Sequence, residues 1–332
     1  MKVYVTIFTI VLCLGCMVSC GNKNKTVGVS DTIQAVTPPD FEADSAYSYL
    51  VRQCDFGPRV VNSDAHKRCG DYIVDYFKRL GLQVVEQEAV LTRYDGEKLN
   101  SRNIIASYAS EKKERILVCA HWDSRPWADN DPNEANHKKP ILGANDGASG
   151  VAVMMEIARL LQEKKPSVGI DFVCFDAEDC GVPQWAETND NSEESWCLGS
   201  QYWASHPHVA NYKARFGILL DMVGGRGASF YQEGFSLRYA RDIVTKVWNA
   251  AERAGYGSFF PKTPGGYITD DHVPVNKTAG IPTIDIVPYY DELSGSSFGP
   301  TWHTVNDTPE NIDPNTLKAV GQTVMQVIYE EK

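Results

Sequence analysis

The stretch GIDFVCFDAED, Gly169–Asp179, sets the architecture. An apolar run ends abruptly in three carboxylates, Asp176, Glu178 and Asp179. A short apolar run of this kind reads as a strand covered on both faces. Carboxylates this close repel, and burying them unpaired costs several kcal/mol. The stretch therefore ends either in open water or around something positive. The same design recurs in RILVCAHWDS (115–124), which ends in His121 and Asp123, and in ARFGILLDMVGG (214–225), which ends in Asp221.

Between these strands lie helical patterns. SDAHKRCGDYIVDYFKRLG (63–81) has Ser63 as cap and Gly81 as stop. DGASGVAVMMEIARLLQEKK (146–165) opens on small residues. LRYARDIVTKVWNAAERAG (237–255) and PNTLKAVGQTVMQVIYEE (314–331) are further helices. LQVVEQEAVLTR (82–93), NIIASY (103–108) and IPTIDIVPY (281–289) read as strands, with Asp95-Gly96 between the first two. Alternating strands and helices predict an α/β fold: a mostly parallel central sheet with mixed edges, covered by helices on both faces. In such sheets ligands lie beyond the carboxyl ends of the strands. His121, Asp123, Glu178, Asp179 and Asp221 stand at those ends, and Asp146 opens a helix after a glycine-containing loop.

The 332 residues, with 43% hydrophobic content, suit one large globular domain or two small ones. A net charge of −11 argues against nucleic-acid binding, which needs a basic face. Lys2, the apolar run of residues 3–18 and Ser19-Cys20 read as a bacterial lipoprotein signal over residues 1–19, with Cys20 as the lipid-bearing residue. This address predicts a periplasm-facing or surface lipoprotein of a Gram-negative bacterium. Residues 20–40 read as a polar tether, and 41–332 as one catalytic domain. Six of the nine cysteines fall in that domain. Cys180 and Cys197 flank a polar loop and are the best candidates for a disulfide. His66, His137, His206 and His208 are read as solvated turn positions, His272 as structural, and Asp176 as a loop cap.

Six motifs stand in order: HWDS (121–124), GANDGASG (143–150), FDAED (175–179), LLDMVGG (219–225), TDDHVP (269–274) and WHTVNDTPENID (302–313). Together they resemble the zinc aminopeptidase-like hydrolase fold, and its glutaminyl cyclase branch in particular. The resemblance implies Asp146, Asp179 and His303 as ligands of one zinc, with His121 and Asp123 as second-metal or supporting candidates. It implies Glu178 as general acid and base, and Asp221 and Asp270 as partners sharing a hydrogen bond beside it. Trp185, Phe298 and Trp302 resemble the aromatics of the cyclase pocket. Asp270 stands where aminopeptidases of the fold tend to carry a non-acidic residue. Asp179 replaces the glutamate familiar at that ligand position.

The implied reaction converts the N-terminal glutamine of peptides or proteins to pyroglutamate with release of ammonia. The alternatives are a dizinc aminopeptidase, with two ions, and a surface lipoprotein that only binds peptides. A monomer is expected.

Overall fold

The computed structural model describes residues 37–186, 193–290 and 296–332. The expected signal segment and nearly all of the tether lie outside the described residues. Among the described residues no helix is long and apolar enough to cross a membrane.

Among the described residues six strands form one sheet in the order β1-β2-β4-β3-β5-β6. They are β1 Gln83–Thr92, β2 Lys98–Tyr108, β3 Arg115–His121, β4 Gly169–Phe175, β5 Gly217–Leu220 and β6 Thr283–Ile286. β3 runs parallel to β4 and β5, and β5 parallel to β6. β1 and β2 pair antiparallel, and β2 joins β4 antiparallel. The expected parallel centre with a mixed edge is the one observed.

Side-chain alternation explains why the central strands are apolar apart from Arg115, His121 and Asp171. Ile116, Val118 and Ala120 of β3 face one core with Phe172 and Cys174 of β4. Leu117 and Cys119 face the other with Val173 and Phe175. Successive strand residues point to opposite faces, and here both faces are covered. The larger core takes α1 (Ala43–Cys54), α2 (Asp64–Arg79), α3 (Ala148–Glu163), α6 (Arg241–Arg253) and α8 (Pro314–Glu330). The smaller takes Trp203 of α4 (Leu198–Ser205), with Val275 and Ile281. The pattern over 237–255 is broken at Ala240 into α5 (Gly234–Tyr239) and α6. A single turn, α7 (His272–Pro274), continues into a π-helical turn at Val275–Ala279.

Ser63 caps α2 as expected, accepting from the His66 N–H. α3 is buried on nearly every side, and its Gly150 lies against the sheet. A Cβ there would come within 2.2 Å of the Leu220 carbonyl and 2.7 Å of Ala120 Cβ. That close approach carries the start of α3, and hence Asp146, to the ends of β3 and β5.

At the opposite end of the sheet, Arg115 grips Asp171 with two bonds of 2.6 Å. Ser107 and Tyr212 also donate to that carboxylate, at 2.5 and 2.7 Å. Burial would raise the Asp171 pKa, but Arg115 and Ser107 outweigh it and hold it below the ordinary range. A depressed folded pKa contributes stability that is present above the unfolded value of about 4 and lost as pH falls through the folded value. Arg115→Met leaves this carboxylate buried without its counter-charge, with Ser107 and Tyr212 still donating, so it should cost ~3 kcal/mol of unfolding free energy at neutral pH. Denaturant titration measures it; a loss below that of an ordinary surface change would mean the pair is compensated elsewhere.

Candidate active site

Four loops bring the functional side chains together at the carboxyl ends of the strands. Among the described residues, four non-glycine positions in them adopt left-handed backbone: Ala177 (φ 53°), Cys197 (56°), Met222 (50°) and His303 (53°). Each such residue costs about 1–3 kcal/mol, and such strain clusters where a site is over-determined by its surroundings. The loop before α3 turns on Gly143 and Gly147, with φ of 66° and 102°. A Cβ on Gly147 would meet the Asp123 carbonyl at 2.2 Å. The Asp307 carboxylate ties this loop down, accepting from the N–H groups of Asn145 at 2.7 Å and Asp146 at 3.0 Å.

Two trios of donor atoms share Asp146. Donors of Asp146, Asp179 and His303 lie within 4.8 Å of one another, and so do those of His121, Asp146 and Asp221. His303 Nε2 is 3.3 Å from Asp179 Oδ1 and 3.6 Å from Asp146 Oδ2. His121 Nε2 is 3.0 Å from Asp146 Oδ1 and 3.1 Å from Asp221 Oδ1. Both imidazoles turn Nε2 into a trio and Nδ1 toward a carboxylate behind it. For His303 that carboxylate is Asp129, at 3.3 Å; for His121 it is Asp123, at 3.6 Å and beyond a hydrogen bond. Metal-bound histidines are oriented in this way. Asp179 Oδ2 is buried without a hydrogen-bond partner among the described residues. Imidazole nitrogen with carboxylate oxygen is the donor chemistry zinc takes, so these residues fit a zinc ion.

The electrostatics point the same way. Burial would lower the His121 pKa, but the surrounding carboxylates of Asp123, Asp146 and Asp221 raise it well above the imidazole range. Burial would raise Asp146, but His121, His303 and Arg125 hold it below the carboxylate range. Burial and the charge of Asp146 raise Asp179. Burial and the charge of Asp270 push Asp221 up to about 7. A dication would offset this excess of negative charge.

Glu178 stands beside the trios, half-buried, at the wall of a cavity of about 400 Å³. Burial pushes its carboxyl pKa well up. Asp123 receives the N–H of Glu178 at 3.1 Å and of Asp179 at 3.3 Å, so its carboxylate shapes the turn that points the two acids differently. Cys197 holds Glu178 from the other side. Its N–H donates to the Glu178 carbonyl at 3.0 Å, and its thiol to Oε1 at 3.3 Å. Asp146, Asp179, Asp221, Asp270 and His303 share the cavity with Phe298, Trp302, Trp196 and Tyr267.

Several expectations are corrected. Trp185 does not line this cavity. It is 39% exposed, with its ring against Trp127 and His137. Trp196 supplies the aromatic wall instead, parallel to His303 at 6.1 Å and under Arg125 at 4.6 Å. Asp221 and Asp270 both reach the cavity, but no hydrogen bond joins them among the described residues. Asp221 meets His121, and Asp270 accepts from the Asp271 N–H. Cys180 and Cys197 are both free thiols. Cys180 packs with Val61, Leu99 and Ala177, while Cys197 turns to Glu178. His66 is buried rather than solvated: it bonds Asp176 at 2.9 Å and stacks on Trp122 at 4.2 Å. His208 is half-buried against Trp203, whose indole N–H donates to its Nδ1 at 3.2 Å. His137 is likewise half-buried, with Nε2 at 2.8 Å from the Asp131 carbonyl. His206 is exposed, and His272 is fully buried and bonded to Glu233 at 3.1 Å.

Sequence reading missed Arg125 and Asp129. Both are buried, and they form a two-bond pair of 2.7 and 2.5 Å behind His303 and Asp179. Their i, i+4 spacing in RPWAD was the available signal. Burial would raise Asp129, but Arg125 and His303 hold it well below the usual range. Asp129→Asn should therefore weaken zinc affinity ~10–100-fold, the usual cost of losing a partner behind a metal-bound histidine. Chelator competition measures it; unaltered affinity would confine Asp129 to its pairing with Arg125.

Residues 103–328 match Peptidase family M28. The chain belongs to this family. Among solved structures, a glutaminyl cyclase of Bacteroides thetaiotaomicron bound to N-acetylhistamine is 56% identical, with a TM-score of 0.87 over 89% of this chain and 100% of that one. A structure described as a leucine aminopeptidase precursor from Bacteroides thetaiotaomicron VPI-5482 is 55% identical, with a TM-score of 0.85 over 89% of this chain and 99% of that one. Aminopeptidase YwaD of Bacillus subtilis (strain 168) is 29% identical over 223 residues, 65% of this chain. The chain spans 40% of that relative's length. The family match begins at Asn103 in β2, so it contains both trios, Glu178 and the aromatic wall, and leaves out α1, α2 and β1.

Proposed function

We propose that this chain is a zinc-dependent glutaminyl-peptide cyclotransferase. The observation that carries the reading is its 56% identity to a solved glutaminyl cyclase over the whole of that chain. Asp146, Asp179 and His303 would hold the zinc. When bound, zinc supplies a Lewis acid for the substrate's γ-carbonyl.

The remaining work falls to the chain's own residues. The free α-amine of an N-terminal glutamine attacks its own γ-amide carbon. A carbon–nitrogen bond forms, and the bond to the amide nitrogen breaks. Glu178 takes the proton that the attacking amine gives up and delivers it to the leaving nitrogen, which departs as ammonia. The carboxylate is regenerated, so the proton count closes. Asp123 and Cys197 hold the turn that aims Glu178. Trp196, Phe298 and Trp302 pack on the glutamine methylenes and keep water from the reacting carbon. Burial, with the charges of Asp179, Asp270 and Asp271 outweighing that of His121, keeps the proton affinity of Glu178 high.

A second reading, a dizinc aminopeptidase, is favoured by one observation: the His121, Asp146 and Asp221 trio shares Asp146 with the first. Ammonia release from Gln-Gly, set against amine release from leucine nitroanilide, separates the two. The cyclase reading expects the first and one zinc per chain. Cleavage of the nitroanilide with the glutaminyl peptide untouched would overturn it.

For location, residues 1–19 serve in this reading as a lipoprotein signal and Cys20 as the anchor. The motif at Ser19-Cys20 supports it. Cys20→Ser should release the protein from the membrane fraction, and a variant still sedimenting with membranes would refute the anchor.

A further inference from the structure

Glu178, Cys197 and Asp270 bring one donor atom each to within 4.8 Å of one another, and this trio has no member in common with the two already described. Its centre is a thiol: Cys197 Sγ lies 3.3 Å from Glu178 Oε1. The third corner is half satisfied. Asp270 is 4% exposed; its Oδ1 accepts from the Asp271 N–H, its Oδ2 is buried with no hydrogen-bond partner among the described residues, and the side chain also stands in a donor group with His272 and Asp285. Glu178 and Asp270 both line the substrate cavity, so an ion can reach the trio from solvent. The Cys197 backbone is anchored beside Glu178 by its N–H, which donates to the Glu178 carbonyl.

We propose that Glu178, Cys197 and Asp270 form a second cation site, selective for a soft divalent ion such as cadmium, and that its occupation silences Glu178. The selectivity follows from the donors. Sulfur favours soft ions, whereas magnesium and calcium take oxygen alone. The Asp146, Asp179 and His303 trio carries no sulfur, so cadmium is drawn to the thiol while zinc keeps its own place. On binding, Cys197 gives its proton to solvent and ligates as thiolate, with the two carboxylates completing the set. A carboxylate bound to cadmium cannot accept a proton from the attacking amine. The inhibition rests on the cyclase reading of Glu178; the binding site does not.

The test adds cadmium to the zinc-loaded full chain. Zinc and cadmium per chain are counted after gel filtration, the cadmium–thiolate ultraviolet band is followed, and ammonia release is assayed alongside. The expected result is one cadmium gained with zinc retained, a thiolate band, and loss of turnover tracking the band. Cys197→Ser should abolish the band and weaken cadmium binding by more than the ~10–100-fold lost with an outer partner. Each variant's inhibition is referenced to its own rate without cadmium. Asp270→Asn, which keeps the side chain's shape and the thiol, should weaken cadmium binding too, and it serves if the cysteine variant does not fold. Loss of zinc in step with cadmium gain would overturn the site. So would an equal band in Cys197→Ser, or cadmium-loaded enzyme at full turnover. If the glutaminyl peptide yields no ammonia at all, the cyclase reading fails, while the metal counts and the band still decide the site.

Discussion

Glu178→Gln is expected to lower turnover by ~10²–10⁴-fold, the usual contribution of a positioned proton-transfer group. The substitution keeps the side chain's length and its contacts. The N–H bond to Asp123 and the carbonyl bond from Cys197 both use the backbone and persist. What is lost is the basic oxygen. Burial and the charges of Asp179, Asp270 and Asp271 raise the proton affinity of that oxygen, which is what accepting a proton from an amine requires. The loss should fall on kcat with KM little changed, because the interaction matters most as the proton moves. Thermal unfolding and zinc content should match the parent. A variant that turns over like the parent would remove Glu178 from the chemistry.

Asp146→Ala is the second large effect. Asp146 is the one residue common to both zinc-type trios, and its two oxygens are divided between them. Its removal disables either metal arrangement. Lewis-acid stabilisation is worth several kcal/mol, and at about 1.4 kcal/mol per factor of ten this corresponds to a loss of roughly 10²–10⁴-fold in turnover. Zinc retained after gel filtration should fall toward zero. His121→Gln is the informative companion. Under the one-zinc reading it leaves metal content unchanged, because His121 then only bonds Asp146 and Asp221. Under the aminopeptidase reading it removes one of two ions. Full zinc content in Asp146→Ala would displace the ligand set proposed here.

The parts of this protein that were legible in its sequence are those written in local pattern. The strands 115–121 and 169–175 are apolar because both their faces are covered, and a run of that kind can be read without knowing its neighbours. The polar residues at their carboxyl ends mark the site; the buried charge within them, Asp171, is held by Arg115. α1 was missed because its apolar face is broken by polar and charged residues, and Gln53 on that face is itself buried, bonding the Ala148 carbonyl at 3.1 Å. The Arg125–Asp129 pair sits in a segment of no regular pattern, and its meaning comes only from the Asp179 and His303 side chains that reach it from elsewhere.

Side-chain partners across the fold divided in the same way. Trp185 and Trp196 are equally plausible pocket residues on paper, because both lie in the loop after the acidic pair. The return of the chain into α4 places Trp196 against Arg125 and leaves Trp185 on the surface. His66 reads as a solvated turn position because its partner, Asp176, lies 110 positions away. The layers of the fold, the end of the sheet that holds the site and the residue types gathered there can be read along the chain, because they follow from periodicity and from the cost of burying charge. Which carboxylate faces which imidazole, and which cysteine faces Glu178, is set by the packing of distant segments. Those choices depend on distances of a few ångströms between segments far apart in the chain, and no local pattern records them.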